Sequence, residues 1–78
     1  MSQASIDHCI RQALGQYFQD LGGEAPHAIY DLILAAVEKP MLEVVMAQAD
    51  GNQSRAAQWL GINRNTLRHK LLDHGISS

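Results

Sequence analysis

The sequence predicts an all-α protein of four helices, a long N-terminal pair followed by a short pair joined across a glycine. Three observations predict it. Apolar residues recur at spacings of three and four from Ile6 to Leu71, the period of a helix with one buried face. No segment alternates apolar and polar residues as a half-buried strand does. Turn signals at Gly22-Gly23, Asp50-Gly51-Asn52 and Gly61 divide the pattern into four.

The first helix is expected over Ser5–Leu21, with Ile6, Ile10, Ala13, Leu14, Tyr17, Phe18 and Leu21 as its stripe. Ser2 or Ser5 can cap it, and Gly22-Gly23 stops it. Ala25-Pro26 opens the second segment, because proline is tolerated in a first helical turn, where its missing N–H has no partner. The helix itself is expected over Ala28–Gln48, about 30 Å long at 1.5 Å per residue. Pro40 removes the bond to the Ala36 carbonyl. Val37, Met41, Val44 and Val45 nevertheless stay in phase across it, so a kink is expected rather than a break. Ala35 and Ala36 leave room for another helix to approach. Asn52 then caps a third helix, Gln53–Leu60, with Ala56, Ala57 and Leu60 facing inward. Asn63 caps the fourth, Arg64 to about Asp73, whose inner face is Leu67 and Leu71 and which Gly75 ends.

Size sharpens this picture. With 78 residues the chain is a single small domain, and a core of that size supplies only about 3–5 kcal/mol. It is 46% apolar, too much for a disordered segment. Cys9 is the one cysteine, so no internal disulfide can staple the fold. The usual remaining staples are a metal or a second copy of the chain. The longest clean apolar run, Leu32 to Val37, is far short of the ~20 residues that span a bilayer. The N-terminus shows no basic segment followed by an apolar one, so no secretory signal, and a cytoplasmic protein is expected.

The formal charge of −2 conceals two opposite halves. Residues 1–50 carry Arg11 and Lys39 against Asp7, Asp20, Glu24, Asp31, Glu38, Glu43 and Asp50, a net −5. Residues 51–78 carry Arg55, Arg64, Arg68 and Lys70 against Asp73, a net +3. The division is therefore expected at residue 50, with an acidic helical pair in 1–50 and a basic helix-turn-helix in 51–78. Segregated basic charge points to a polyanion partner.

The second helix of such a module enters the DNA major groove. Ala57 is small where the helices cross, Gly61 makes the sharp turn, and Ile62 and Leu67 plug the angle. At 100° per residue, inward Leu67 and Leu71 aim Asn65 and His69 most directly outward. Arg64 and Arg68 lie on one flank, and Thr66 and Lys70 on the other. Arginine can bond guanine bidentately and asparagine can read adenine. Thr66, Arg68, Lys70 and the backbone N–H groups at Asn63 and Arg64 suit phosphates. Asn52, Gln53, Ser54 and Arg55 form a second polar helix start of the same kind.

Gly51-Asn52-Gln53-Ser54-Arg55-Ala56-Ala57 and Leu60-Gly61-Ile62-Asn63-Arg64-Asn65-Thr66-Leu67-Arg68-His69-Lys70-Leu71 closely resemble the C-terminal helix-turn-helix of the Fis family, the factors for inversion stimulation. Gln12-Ala13-Leu14, Tyr17-Phe18, Tyr30-Asp31-Leu32 and Val37-Glu38-Lys39-Pro40-Met41-Leu42 resemble the family's two dimerisation helices. The resemblance spans roughly residues 5–76. A similar module ends bacterial enhancer-binding activators of the nitrogen-regulator type. A start at Met1 with no ATPase domain favours the stand-alone protein.

The resemblance implies a homodimer with an intertwined four-helix core, whose paired recognition helices sit closer than successive grooves of straight DNA. It implies a nucleoid-associated transcription regulator that bends double-stranded DNA with degenerate sequence preference. By position it implies Arg64 as the main guanine contact and Asn63 as a second base contact. Asn52, Ser54, Thr66, Arg68 and His69 are the phosphate contacts it implies. Three departures stand out. About four residues precede the first helix, where well-known members carry a mobile arm that activates serine invertases, so that activity is expected to be absent. Asp50 occupies a position that is basic in those members. His69, Leu72 and Asp73 stand where they are rich in lysine.

Other readings are set aside on spacing. His8, His27, His69 and His74 contain no i, i+4 pair, so no metal site and no cofactor are expected, and they read as surface histidines. Cys9 is expected to be buried or half-buried, and Met41 and Met46 to pack in core or dimer. Trp59 is expected to pack between module and core. No nucleophile, base and acid arrangement marks an enzyme, and no small-molecule substrate is expected. The rival function is a protein-interaction dimer whose DNA binding is weak or incidental, with the acidic half and Asp50 as its support.

Overall fold

A computed structural model of the chain describes residues 2–77, and every element among them is helical. The helices are α1 (Gln3–Leu21), α2 (Ile29–Gln48), α3 (Gln53–Leu60) and α4 (Arg64–Asp73). The fold is all-α, as the periodicity predicts.

Caps place the boundaries. Ser2 caps α1, its side chain accepting from the Ser5 N–H, so this helix begins two residues earlier than expected. Asn52 and Asn63 cap α3 and α4 by accepting from the N–H groups of Arg55 and Asn65. Pro26 lies outside α2 rather than in its first turn, and the residue before the helix, Ala28, is left-handed at φ 52° with no side-chain cap. From there α2 runs through Pro40 without interruption. The C-terminal ends of α2, α3 and α4 share one device. The N–H five residues on donates back to the carbonyl: Gly51 to Met46, Ile62 to Ala57, and Ile76 to Leu71, at 2.8–3.0 Å. That closure needs a left-handed residue, supplied by Asp50 at φ 53°, Gly61 at φ 75° and Gly75 at φ 66°.

The core belongs to α2, α3 and α4. Leu42, Met46 and Ala49 from α2 and its end meet Ala56, Ala57, Leu67 and Leu71, all buried, with Val45, Leu60, Ile62 and Ile76 packed around them. Ala56 and Leu67 have no exposed surface, which is why the inner position of α3 must be small. The basic module is thus not self-contained. The C-terminal half of α2 is its third helix, and the buried cluster straddles residue 50.

The N-terminal half differs in kind. No residue of α1 is buried. Ile6, Phe18, Tyr30, Leu32, Leu34, Val37, Met41 and Val44 are all exposed. Ile6, Cys9 and Ile10 of α1 and Ala36, Val37, Pro40, Met41 and Val44 of α2 line an open apolar cleft of about 450 Å³. The radius of gyration is 14.9 Å, against about 11–12 Å for a compact chain of this length. Accessible surface is 5915 Å², against about 4700 Å² for a compact monomer of 8.6 kDa.

Two packing expectations are corrected. Cys9 is exposed on the cleft rim, because α1 has no partner element on that side within the chain. Trp59 does not pack between module and core. It is 57% exposed, since Ala56, Ala57 and Leu60 already take the inner face of a helix only eight residues long. Met46 is buried in the core, whereas Met41 faces the open cleft. No described helix is long and apolar enough to cross a membrane.

Candidate nucleic-acid interface

The interface is built on α4 and the start of α3. Leu67 and Leu71 anchor α4 through its inner face, so the opposite arc must be solvent. Arg64, Asn65, Thr66, Arg68 and His69 are all exposed on that arc. Arg64 and Arg68 stand one turn apart on one edge, and Asn65 and His69 one turn apart on the crest. Farther along, the arc ends in Leu72, 71% exposed, and Asp73. Donors and positive charge therefore concentrate in the N-terminal half of α4. That half also carries the positive end of the helix dipole.

The two capping asparagines have one atom committed each. Asn52 Oδ1 accepts from the Arg55 N–H at 3.0 Å, and Asn63 Oδ1 from the Asn65 N–H at 2.8 Å. Both remain exposed, and their amide NH2 groups remain available as donors. Ser54 and Arg55 are exposed beside Asn52, while Gln53 is half-buried. Among the described residues Arg55, Arg64 and Arg68 take part in no salt bridge.

Lys70 differs from the other candidates. Its Nζ lies 2.8 Å from Glu38 Oε2, and His74 Nε2 lies 2.8 Å from Glu38 Oε1. The Lys70 hydrogen bond, and then the His74 one, hold the Glu38 carboxyl below its ordinary pKa, outweighing partial burial. Glu38 and His74 are absent from the residues that motif reasoning selects. The available signal was positional: Glu38 stands four residues before Leu42, on the α2 stripe that the module covers. Lys70 and His74 form an i, i+4 pair on one side of α4.

The arrangement brings ten of the eleven candidate residues to exposed or partly exposed helix starts and one outward helix face. Such a face can donate hydrogen bonds to an anionic, groove-shaped ligand. Among the described residues no group of three or more His, Cys, Asp or Glu side chains could hold a metal.

Residues 33–74 match the model of the bacterial regulatory proteins of the Fis family. The chain belongs to the Fis family. A Fis-like DNA-binding protein of Ralstonia nicotianae is 55% identical over 76 residues, covering 97% of this chain and 99% of the relative. One from Neisseria meningitidis is 58% identical over 71 residues, covering 91% and 90%. The DNA-binding protein Fis of Proteus mirabilis is 46% identical over 77 residues, covering 99% of this chain and 79% of its own length. The Fis match includes all of α3 and α4 and most of α2, the same three helices that share the buried core.

Proposed function

We propose that this Fis-family chain is a homodimeric, nucleoid-associated regulator that binds and bends double-stranded DNA with degenerate sequence preference. One observation carries it: α4 presents Arg64, Asn65, Thr66, Arg68 and His69 together on a solvent-facing arc that its buried Leu67 and Leu71 hold rigid. Arg64 and Asn63 reach base edges. Asn52, Gln53, Ser54, Arg55, Thr66, Arg68 and His69 grip phosphate and sugar, with Asn65 on the crest between them.

The open half of the molecule supports the dimer. The chain exposes about 1200 Å² more than a compact monomer of its mass. Two copies that covered this excess would bury about 2400 Å² in total, inside the range of obligate dimers. Residues 1–50 supply that interface and 51–78 read DNA, with Leu42, Met46 and Ala49 shared between the two tasks. Through those three side chains the reading helix is fixed to the dimer helix. A dimer so fixed meets two half-sites less than ~34 Å apart only by bending the duplex.

A gel shift on random duplex DNA at low salt tests binding, and mobility of the complex with the site moved along a fragment tests bending. A retarded band at micromolar dimer is expected, slowest with the site central. Free DNA at that concentration would sink the reading and leave the interaction dimer in its place.

A further inference from the structure

We propose that Glu38 is the positioning residue of the DNA-reading unit, holding α4 to the dimer helix through Lys70 and His74, so that Lys70 serves as a structural cation and not as a phosphate contact. This rests on the DNA-binding reading above. Its basis is the distribution of polar ties in the fold. Among the described residues every other side-chain hydrogen bond or ion pair joins groups no more than four residues apart. Only Glu38 reaches across the fold, 32 residues to Lys70 and 36 to His74.

Position gives that tie its consequence. The main packing partner of α4 is α3, which packs in turn on α2 as well. Leu67 and Leu71 hold the inner face of α4 in the core, and a polar link beyond Leu71 fixes its last turns as well. Glu38 extends the α2 stripe of Leu42, Val45, Met46 and Ala49 by one turn, and a charged pair there adds a directional tie that an apolar contact lacks. A carboxylate has two oxygens in a fixed fork, and each takes one partner at 2.8 Å. Two donors one turn apart on α4 define both its rotation and its distance from α2. His74 is also the residue that ends α4, so the grip falls on the half of the helix farthest from Arg64. Rotation there moves Arg64 and Asn63 off their bases while leaving the fold intact.

The surroundings suit a permanent pair. The side chains of Glu38 and His74 are only 20% and 14% exposed. Lys70 is 36% exposed, and moving its ammonium to a phosphate would strand a half-buried carboxylate beside α4. DNA approach makes that exchange worse, because the freed carboxylate would lie near the polyanion.

The test compares Glu38→Gln, Lys70→Met and Arg68→Met with the wild-type dimer on a preferred site and on random duplex. Two quantities are read: the affinity ratio between the DNAs, and the slope of log affinity against log salt. Each lost phosphate contact lowers the slope magnitude by about 0.9, so two per dimer remove about 1.8. Arg68→Met is expected to show that drop with an unchanged affinity ratio. Lys70→Met is expected to keep the wild-type slope while its affinity ratio falls about tenfold, the low part of the range one bidentate base contact supplies. Glu38→Gln is expected to lower the ratio likewise. The slope does not depend on how much of a variant is folded, so a destabilised sample does not blur it. Exchanging the charges, Glu38→Lys with Lys70→Glu, is expected to recover most of the ratio at pH 8. A slope for Lys70→Met that drops by about 1.8, or a wild-type ratio for Glu38→Gln, overturns the proposal. Without DNA, Glu38→Gln is expected to speed amide exchange in the last turns of α4 but not in α3, and equal rates in α4 overturn the clamp. Wild-type protein that binds neither duplex refutes the DNA-binding reading instead, and the exchange measurement still judges the clamp.

Discussion

Val44→Asp separates a monomer from a dimer. Val44 is 61% exposed, on the α2 face away from the buried core and on the lip of the apolar cleft. In a monomer a polar residue there changes stability by no more than about 0.5 kcal/mol, the usual range for surface positions. In a dimer closed over the cleft, the exposed three-fifths of the side chain becomes buried. Full burial of a valine is worth about 1.5–3 kcal/mol, so the remaining portion contributes about 1–2 kcal/mol. The two-fold doubles this to about 2–4 kcal/mol, a factor of about 30 to 1000 in the dimer Kd. Burying two carboxylates adds further cost in the same direction. The assay is sedimentation equilibrium across nanomolar to micromolar chain. The expected result is a wild-type dimer, a Val44→Asp protein shifted toward monomer by at least ~30-fold, and an unaltered Leu72→Asp control, since Leu72 lies on the outward arc of α4. A Val44→Asp protein with the wild-type Kd would refute the reasoning, because the cleft would then not be the dimer surface.

Further outcomes follow from single residues. Arg64→Ala should cost about 1–3 kcal/mol per half-site and relax sequence preference, read by binding to a panel of duplexes. Gly61→Ala should cost about 1–2 kcal/mol in thermal unfolding, all of it conformational, since φ is 75° and an added Cβ would meet nothing within 4 Å. Leu67→Ala, at a fully buried position, should cost about 2–5 kcal/mol in denaturant unfolding. Glu38 contributes a pH term of definite sign. Its carboxyl titrates lower in the folded protein than in the unfolded chain, so its stabilisation is complete above the unfolded value near 4.5 and is lost as pH falls through the folded one. Unfolding curves of Glu38→Gln should therefore be flatter than wild type below pH 4.5, and parallel curves would contradict the ion pair.

Much of the candidate interface's geometry was legible because it is local. Asn52 and Asn63 cap helices by bonds to N–H groups three and two residues on, so a short stretch of sequence contains both partners. Ala57, Gly61 and Leu67 obey the geometry of one turn between two helices. The outward arc of α4 follows from Leu67 and Leu71 by rotation alone. Glu38 was not legible in this way. An acid four residues before Leu42 reads as part of a charged α2 surface until Lys70 and His74, more than 30 residues away, are brought against it. Trp59 and Cys9 misled for a related reason: large or soft side chains suggest burial, but what buries them must be supplied by another element.

The number of helices, most of their ends and the polarity of each face follow from local sequence. These depend on dihedral preferences, capping bonds and the 3.6-residue period, all of which act within a few residues. Which faces meet is settled by packing across the fold. The tertiary structure packed the C-terminal half of α2 against the module as a third helix, so that residues on both sides of the turn at Asp50-Gly51 share one core. It left the other face of α2 and most of α1 uncovered within the chain, and it tied Lys70 to α2 while leaving Arg64 and Arg68 in water. The physical reason is that burial and ion pairing depend on distance in space. A helix of definite polarity can satisfy its apolar stripe against several partners, and the stripe alone does not say which.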